Sequence, residues 1–423
     1  MSVRYPRLAW LASAALVAVV AAGVFGAEKV GSSLRSDPDG WALHPVIAAT
    51  EDGGLYAGWS QHRKPAEWEL VDVYVKRWTG GGWEGLGGGV SRSIGHTGGV
   101  WTEAYAPALA VVAGIPYLAW YEGGGYGWGK IGETDISSSV FVAHWDGRHW
   151  MLDKNPAMPN GALNTGPNAA SRTPKLAAVN GVLYAAWIES RFVPNEGSYN
   201  LVIVRRLADG RWIPAGQEIR AGSSDGYAQI IDLGIVDGGG VAYIAWTESG
   251  DSPRRSSLRA VRLDGSRWVP LGSALNATGD GSANHLALSA IGKTVLLVWQ
   301  ERSQTGKYQI YGRSWSGSSW TSAGGSLNVD PARGEAGRPA LVADTSRFWV
   351  AWTEGLPGQP AGLYLRSLEP GGWSPAQGSL NADPAGGAPD SPFLAAFQGR
   401  ILLIWAEKGP PPLTKQVHVR YVK

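Results

Sequence analysis

The chain has 423 residues, a formal charge of +2 spread along its length, 22 Trp, 60 Gly and no Cys. Lack of cysteine excludes disulfides, thiolate metal sites, a Cys nucleophile and a lipid-modified cysteine behind a leader. Lack of any Lys/Arg run excludes a surface that tracks a phosphate backbone, so nucleic acid is not expected as a partner.

Residues 1–27 place Arg4 and Arg7 before an apolar run from Leu8 to Phe25, with small residues suited to cleavage at Gly23, Gly26 and Ala27. This pattern predicts export through a signal peptide or N-terminal anchor. The run approaches membrane-spanning length, so the one membrane contact expected is an uncleaved leader. Residues 28–423 are expected to form one domain, a monomer, secreted or held in the cell envelope.

Beyond the leader one unit recurs seven times. Its marker is an apolar segment ending in Trp-x-Glu: "LYAGWSQ", "YLAWYE", "YAAWIE", "YIAWTE", "LLVWQE", "WVAWTE" and "LLIWAE". The tryptophans are Trp59, Trp120, Trp187, Trp246, Trp299, Trp352 and Trp405, and the first acid is replaced by Gln61. A shorter apolar segment precedes each marker, opened by proline in five units at Pro45, Pro107, Pro174, Pro339 and Pro392, which fits the first residue of a strand. A third segment and a Gly/Asp turn then lead to a second tryptophan (Trp83, Trp150, Trp212, Trp268, Trp320, Trp373). Each unit therefore reads as four antiparallel strands.

Such sheets are apolar on both faces and must be covered by neighbours. Radial stacking does this, and the predicted fold is an all-β, seven-bladed β-propeller of four-stranded antiparallel blades. The seventh unit stops at "VHVRYVK", after its third strand. "SSLRSDP" at residues 32–38 matches "GSLNVDP" and "GSLNADP" at the ends of outer strands five and six. Residues 28–36 are thus expected to supply the missing outer strand and close the ring, leaving no open sheet edge.

In every unit the Trp of Trp-x-Glu is expected to wedge between adjacent sheets. The acids are expected to pair with third-strand arginines such as Arg77, Arg262, Arg313, Arg366 and Arg420. His144 takes the arginine's place in unit two.

The turns "WTGGGW", "WDGRHW", "LDGSRW" and "WSGSSW" resemble a degenerate Asp-box, the turn of sialidase-like propellers and related bacterial repeat proteins. The resemblance covers nearly all of the exported chain as a repeat pattern and implies fold more than activity. It also implies that the working mouth lies opposite these turns. The catalytic set of sialidases is not carried over, since "HPVIA" stands where an Arg-Ile-Pro segment is expected.

Function is sought where the symmetry breaks. The longest departures are residues 87–105 and 122–139, and both are expected on the mouth face. With the insertion around Trp68 they offer Trp68, His96, Trp101, Tyr105, Tyr121, Glu122, Tyr126 and Trp128 as candidate ligand-binding residues. Flat aromatics among short polar groups suit the faces and hydroxyl edges of sugars, or a protein hot spot. Acid pairs such as Glu133 with Asp135, or Glu103 with Glu122, offer glycoside hydrolysis as an alternative. The His residues show no ligand spacing, so no metal or cofactor is expected. The expected function is non-catalytic recognition of a glycan or an extracellular protein, with a sialidase-like glycoside hydrolase and a structural envelope scaffold as alternatives.

Overall fold

A computed structural model describes residues 28–423 except 32–33, 35–39, 51, 63–70, 94–101, 125–137, 159, 167–168, 194–196, 223–228, 250–255, 274, 279–280 and 409–414. It contains seven antiparallel sheets, six built from consecutive strands in simple meander order and the seventh from the last three strands of the chain with the first. Blade five is typical, with strands Ala283–Ile291, Thr294–Arg302, Tyr308–Trp315 and Trp320–Ser322 running from the innermost to the outermost. The innermost strands pack in a cycle, one to two and on to seven, with the seventh against the first. In blade three the outer strand is split in two, Arg211–Pro214 and Ile219–Arg220, both paired with the same neighbour.

The core consists of seven inter-blade clusters, as expected of sheets that cannot hide two apolar faces alone. Six of the seven marker tryptophans are fully buried, and Trp246 is 5% exposed. Each indole N–H donates to the acid or amide two residues on, at 2.6–3.3 Å.

The ring closes through the termini. Glu28 and Lys29 pair with Tyr421 and Arg420 in the seventh blade, and the Val30 and Leu34 amides donate to Val419 and Val417 at 3.1 Å. The same two bonds recur in blade five as Ala323 to Gly312 and Leu327 to Ile310. Glu28–Gly31 and Leu34 therefore take the places of an ordinary outer strand.

The second tryptophan of five repeats, all but Trp212 in blade three, explains what links blade to blade at the rim. Trp83 donates its indole N–H to the Val30 carbonyl, as Trp150 does to Leu86, Trp268 to Ala215 and Trp320 to Leu271, at 2.8–2.9 Å. The next residue in the first of these contacts, Gly31, has φ of 76°, and a Cβ there would lie 3.0 Å from the Trp83 ring. Glycine is thus required both by conformation and by the approach of the indole. Trp83→Phe should keep most of the packing and lose one hydrogen bond, costing about 1 kcal/mol in urea unfolding.

Two expectations are corrected. The five prolines do not open their strands: Pro45 sits in the middle of Trp41–Ala49, and the other four are likewise internal. An innermost strand has one free edge, so the absent proline N–H breaks no ladder bond there. The third-strand arginines named above also do not pair with the Trp-x-Glu acids, although in blade four another third-strand arginine, Arg259, reaches Glu248 at 2.9 Å. Arg366 and Arg420 lie over the rings of Trp352 and Trp405 and donate to carbonyls of the blade-to-blade links, while Arg77 and Arg262 pair with Glu84 and Asp264.

The acids instead clasp those links. Glu301 accepts the Ala277 and Thr278 amides at 2.9 and 2.7 Å, Glu354 those of Val329 and Asp330, and Glu407 those of Ala382 and Asp383. A carboxylate taking several charge-assisted bonds needs no arginine counter-charge. Just before the clasped amides, Asn276, Asn328 and Asn381 accept a third-strand amide and donate to carbonyls of that strand's approach and of the link. This explains the Leu-Asn pairs of the repeat.

Candidate functional site

The free edges of the seven innermost strands surround an axial cavity of about 280 Å³, to which every blade contributes. Each of these strands carries a register shift near its N-terminal half, between Leu43 and Val46 in blade one and between Gly337 and Ala340 in blade six, for example. The blade-linking segments and the second-to-third-strand loops lie toward this end. The mouth of the axis is therefore built from bulged strand segments.

One side of the mouth is charged. Arg338 Nε and Lys415 Nζ reach the two oxygens of Asp390 at 3.0 and 2.6 Å. Burial pushes the Asp390 carboxyl up, but Arg338 and Lys415 together hold it below its ordinary range. Lys175 stands 3.9 Å from Asp232, whose oxygens also accept the Leu233 and Leu286 amides. Arg172 is deeply set, and among the described residues its guanidinium donates to the neutral oxygens of Ser190, Asn200 and the Ile230 carbonyl at 3.0–3.1 Å. Burial alone lowers its pKa. Two imidazoles lie in the field of these groups, His285 among them and His44 where they meet the aromatic side. His44 is driven down to about 4 by burial and then by the charge of Arg338, with Lys415 and Lys175 adding to it against Asp390. His285 is lowered by burial and by Arg338 and Lys175 against Asp232 and Asp390. Both are neutral hydrogen-bonding groups at neutral pH.

The other side is aromatic. Tyr105 and Tyr121 have ring centroids 6.0 Å apart, and Tyr105 meets His44 edge-on and His62 at 6.3 Å each. Blades one and two thus present flat surfaces flanked by the cations of their neighbours, blades three and seven, with Arg338 of blade six beyond.

Of the residues proposed from sequence, Tyr105 and Tyr121 come together at this mouth. Glu122 is 5% exposed and accepts the Trp120 indole N–H at 2.7 Å, so it belongs to the ring of clasping acids. Burial pushes its carboxyl up to about 7, with Asp72 adding to the rise against the Trp120 bond. Asp72 lies at the start of its strand, accepting the Val73 amide at 2.9 Å and the amide and hydroxyl of Ser91. In the later blades the link asparagine does this work for the strand amide, so Asp72 and Ser91 together replace it in blade one. Trp68, His96, Trp101, Tyr126, Trp128, Glu133 and Asp135 lie outside the described residues, as does the leader.

Sequence reasoning missed Arg172, Lys175, Asp232, His285, Arg338, Asp390 and Lys415. They sit on repeat strands that read as core, and the available signal was their polarity, beside or near a proline in all but Asp232 and His285. Among the described residues, no group of three or more His, Asp or Glu is arranged to hold a metal ion.

No protein-family model and no curated protein sequence matches the chain. Solved structures do. An ulvan lyase of the polysaccharide lyase group PL25 superposes with a TM-score of 0.59 and 13% identity, covering 90% of this chain and 93% of that one. A Dyadobacter fermentans protein of unknown function gives 0.52 and 12%, covering 81% and 99%. The Penicillium chrysogenum α-L-arabinanase complexed with arabinobiose gives 0.50 and 11%, covering 93% and 98%. The class that fold and similarity define is a seven-bladed β-propeller, sharing its architecture with glycan-acting enzymes. At these identities the likeness is one of fold.

Proposed function

We propose that this protein is an exported recognition propeller that binds a glycan at its axial mouth without cleaving it. The observation that carries the reading is the division of one mouth into the Tyr105–Tyr121–His44 aromatic side and the Arg338–Asp390–Lys415 and Lys175–Asp232 charged side. A sugar ring offers an apolar face to the first and hydroxyl edges to the second. Trp68, His96, Trp101, Tyr126 and Trp128, which lie outside the described residues, remain candidate glycan contacts on their chemistry alone.

Binding rather than cleavage is favoured by the state of the mouth's acids. Glycoside hydrolysis needs one protonated carboxyl beside one ionised one. Asp390 is held ionised by two cations, Asp232 is engaged by two backbone amides, and Glu122, the one acid pushed up to about 7, is buried against the Trp120 indole and away from substrate. The leader supports export, and a glycan or glycoconjugate of the cell exterior is the partner it implies.

The test is a glycan array read beside a panel of chromogenic glycosides, with calorimetry on the hits. Binding without turnover is expected, and Tyr105→Ala should weaken it by roughly 1–2 kcal/mol. Turnover would replace this reading with the hydrolase, and neither binding nor turnover with the scaffold.

A further inference from the structure

The register shifts place one extra residue in each innermost strand, and these seven positions share a backbone peculiarity. Six of them, His44, Ala106, Thr173, His285, Arg338 and Ser391, have φ between 39° and 54°, and Ile231 takes the position in blade four. None is glycine, although L side chains are disfavoured in this left-handed region and this chain uses glycine freely elsewhere. A bulge re-aims a side chain. In a regular strand of this fold the residue would enter one inter-blade core or the other, whereas the bulge turns it along the free edge that faces the axis. His285, Arg338 and Ser391 accordingly line the axial cavity. His44 lies in the field of Arg338, Lys415 and Lys175, and its buried Nδ1 has no hydrogen-bond partner among the described residues.

Strain retained in the same place in six blades, on side chains of unlike chemistry, is explained by use of those side chains and not by packing. The charge balance says what they meet. Arg172, Lys175, Arg338 and Lys415 face two carboxylates, Asp232 and Asp390, and among the described residues Arg172 donates to neutral partners.

We propose that the bulge residues form a reading ring at the axial mouth, in which Arg338, His285 and His44 contact the negatively charged substituent of an acidic saccharide. This rests on the glycan reading of the mouth. The ring positions set specificity, and the strands beneath them hold the blades together. Carboxylate and sulfate esters share the required chemistry.

The test uses the full chain and three probes: trigalacturonate for the carboxylate, a sulfated galactose oligosaccharide for the sulfate, and neutral cellotriose. The expected result is that one or both anionic probes bind more tightly than cellotriose. Arg338→Asn and His285→Asn should weaken that probe about tenfold or more, corresponding to loss of a charge-assisted contact, with little change in melting because Asn tolerates the left-handed region. Lys175→Gln, outside the bulge, should weaken it as well. Ala106→Gly should leave the melting temperature unchanged or raise it. Preference for cellotriose would overturn the acidic assignment and leave glycan recognition standing, whereas no binding of any probe would remove both. Full anionic binding by Arg338→Asn, or a lowered melting temperature in Ala106→Gly, would overturn the ring.

Discussion

Deletion of residues 28–36 should leave a protein that aggregates, or that unfolds with at least about 5 kcal/mol less stability and a broadened transition. Val30 and Leu34 are 3% and 1% exposed and pack with Leu55, Trp59, Val417 and Val419 across the first and last blades. Burying two such side chains contributes about 1.5–3 kcal/mol each, and the Val419 and Val417 carbonyls and the Trp83 indole would lose their partners as well. The exposed edge of Lys415–Tyr421 would then be a template for intermolecular pairing. Urea unfolding and light scattering read both effects, and an unchanged transition in a monomeric product would contradict terminal closure.

The second large effect is a contrast between two chemically identical substitutions. Glu301 is fully buried and accepts four bonds, from the Trp299 indole at 2.6 Å, the Ala277 and Thr278 amides, and the Thr278 hydroxyl at 2.7 Å. Glu301→Gln turns an NH2 group toward donors and should cost about 3 kcal/mol. Glu122→Gln should do the reverse at alkaline pH. The folded-state pKa of Glu122, raised from 4.5 to about 7 by burial and by Asp72 against the Trp120 bond, means that the folded protein holds this proton more tightly than the unfolded chain. Its contribution is therefore fully present below pH 4.5 and lost as the pH rises through 7, a swing of up to about 3 kcal/mol. Gln61, which accepts the Trp59 indole at 2.9 Å in blade one, shows that an amide fits this position. Glu122→Gln should match the parent near pH 5 and exceed it at pH 8 in urea unfolding. Parallel profiles would mean that Glu122 ionises at no cost to the fold.

The blade count, the wedge tryptophans and the terminal closure were legible because a repeated fold writes each contact several times. Six Trp-x-Glu copies, a seventh with Gln61, and a last unit of three strands leave few arrangements open. The acids' true partners were not legible, because they bind backbone amides of the links and amides have no sequence signature. The axial site was half legible. Tyr105 and Tyr121 stood out as neighbours of insertions, whereas Arg338 and His285 were hidden within strands. The residue before a proline is ordinarily extended, so "RP" at 338 and "HP" at 44 read as strand starts. Only the paired register reveals an extra residue there and a side chain turned from the core to the axis.

The account rests on the axis as the place of recognition, and a crystal structure of the protein grown with the tightest-binding oligosaccharide tests it most directly. Density for the sugar between Tyr105 and Arg338, above the axial cavity, is the predicted result. Density on the rim at the Asp-box-like turns, with the axial mouth unchanged, would contradict it.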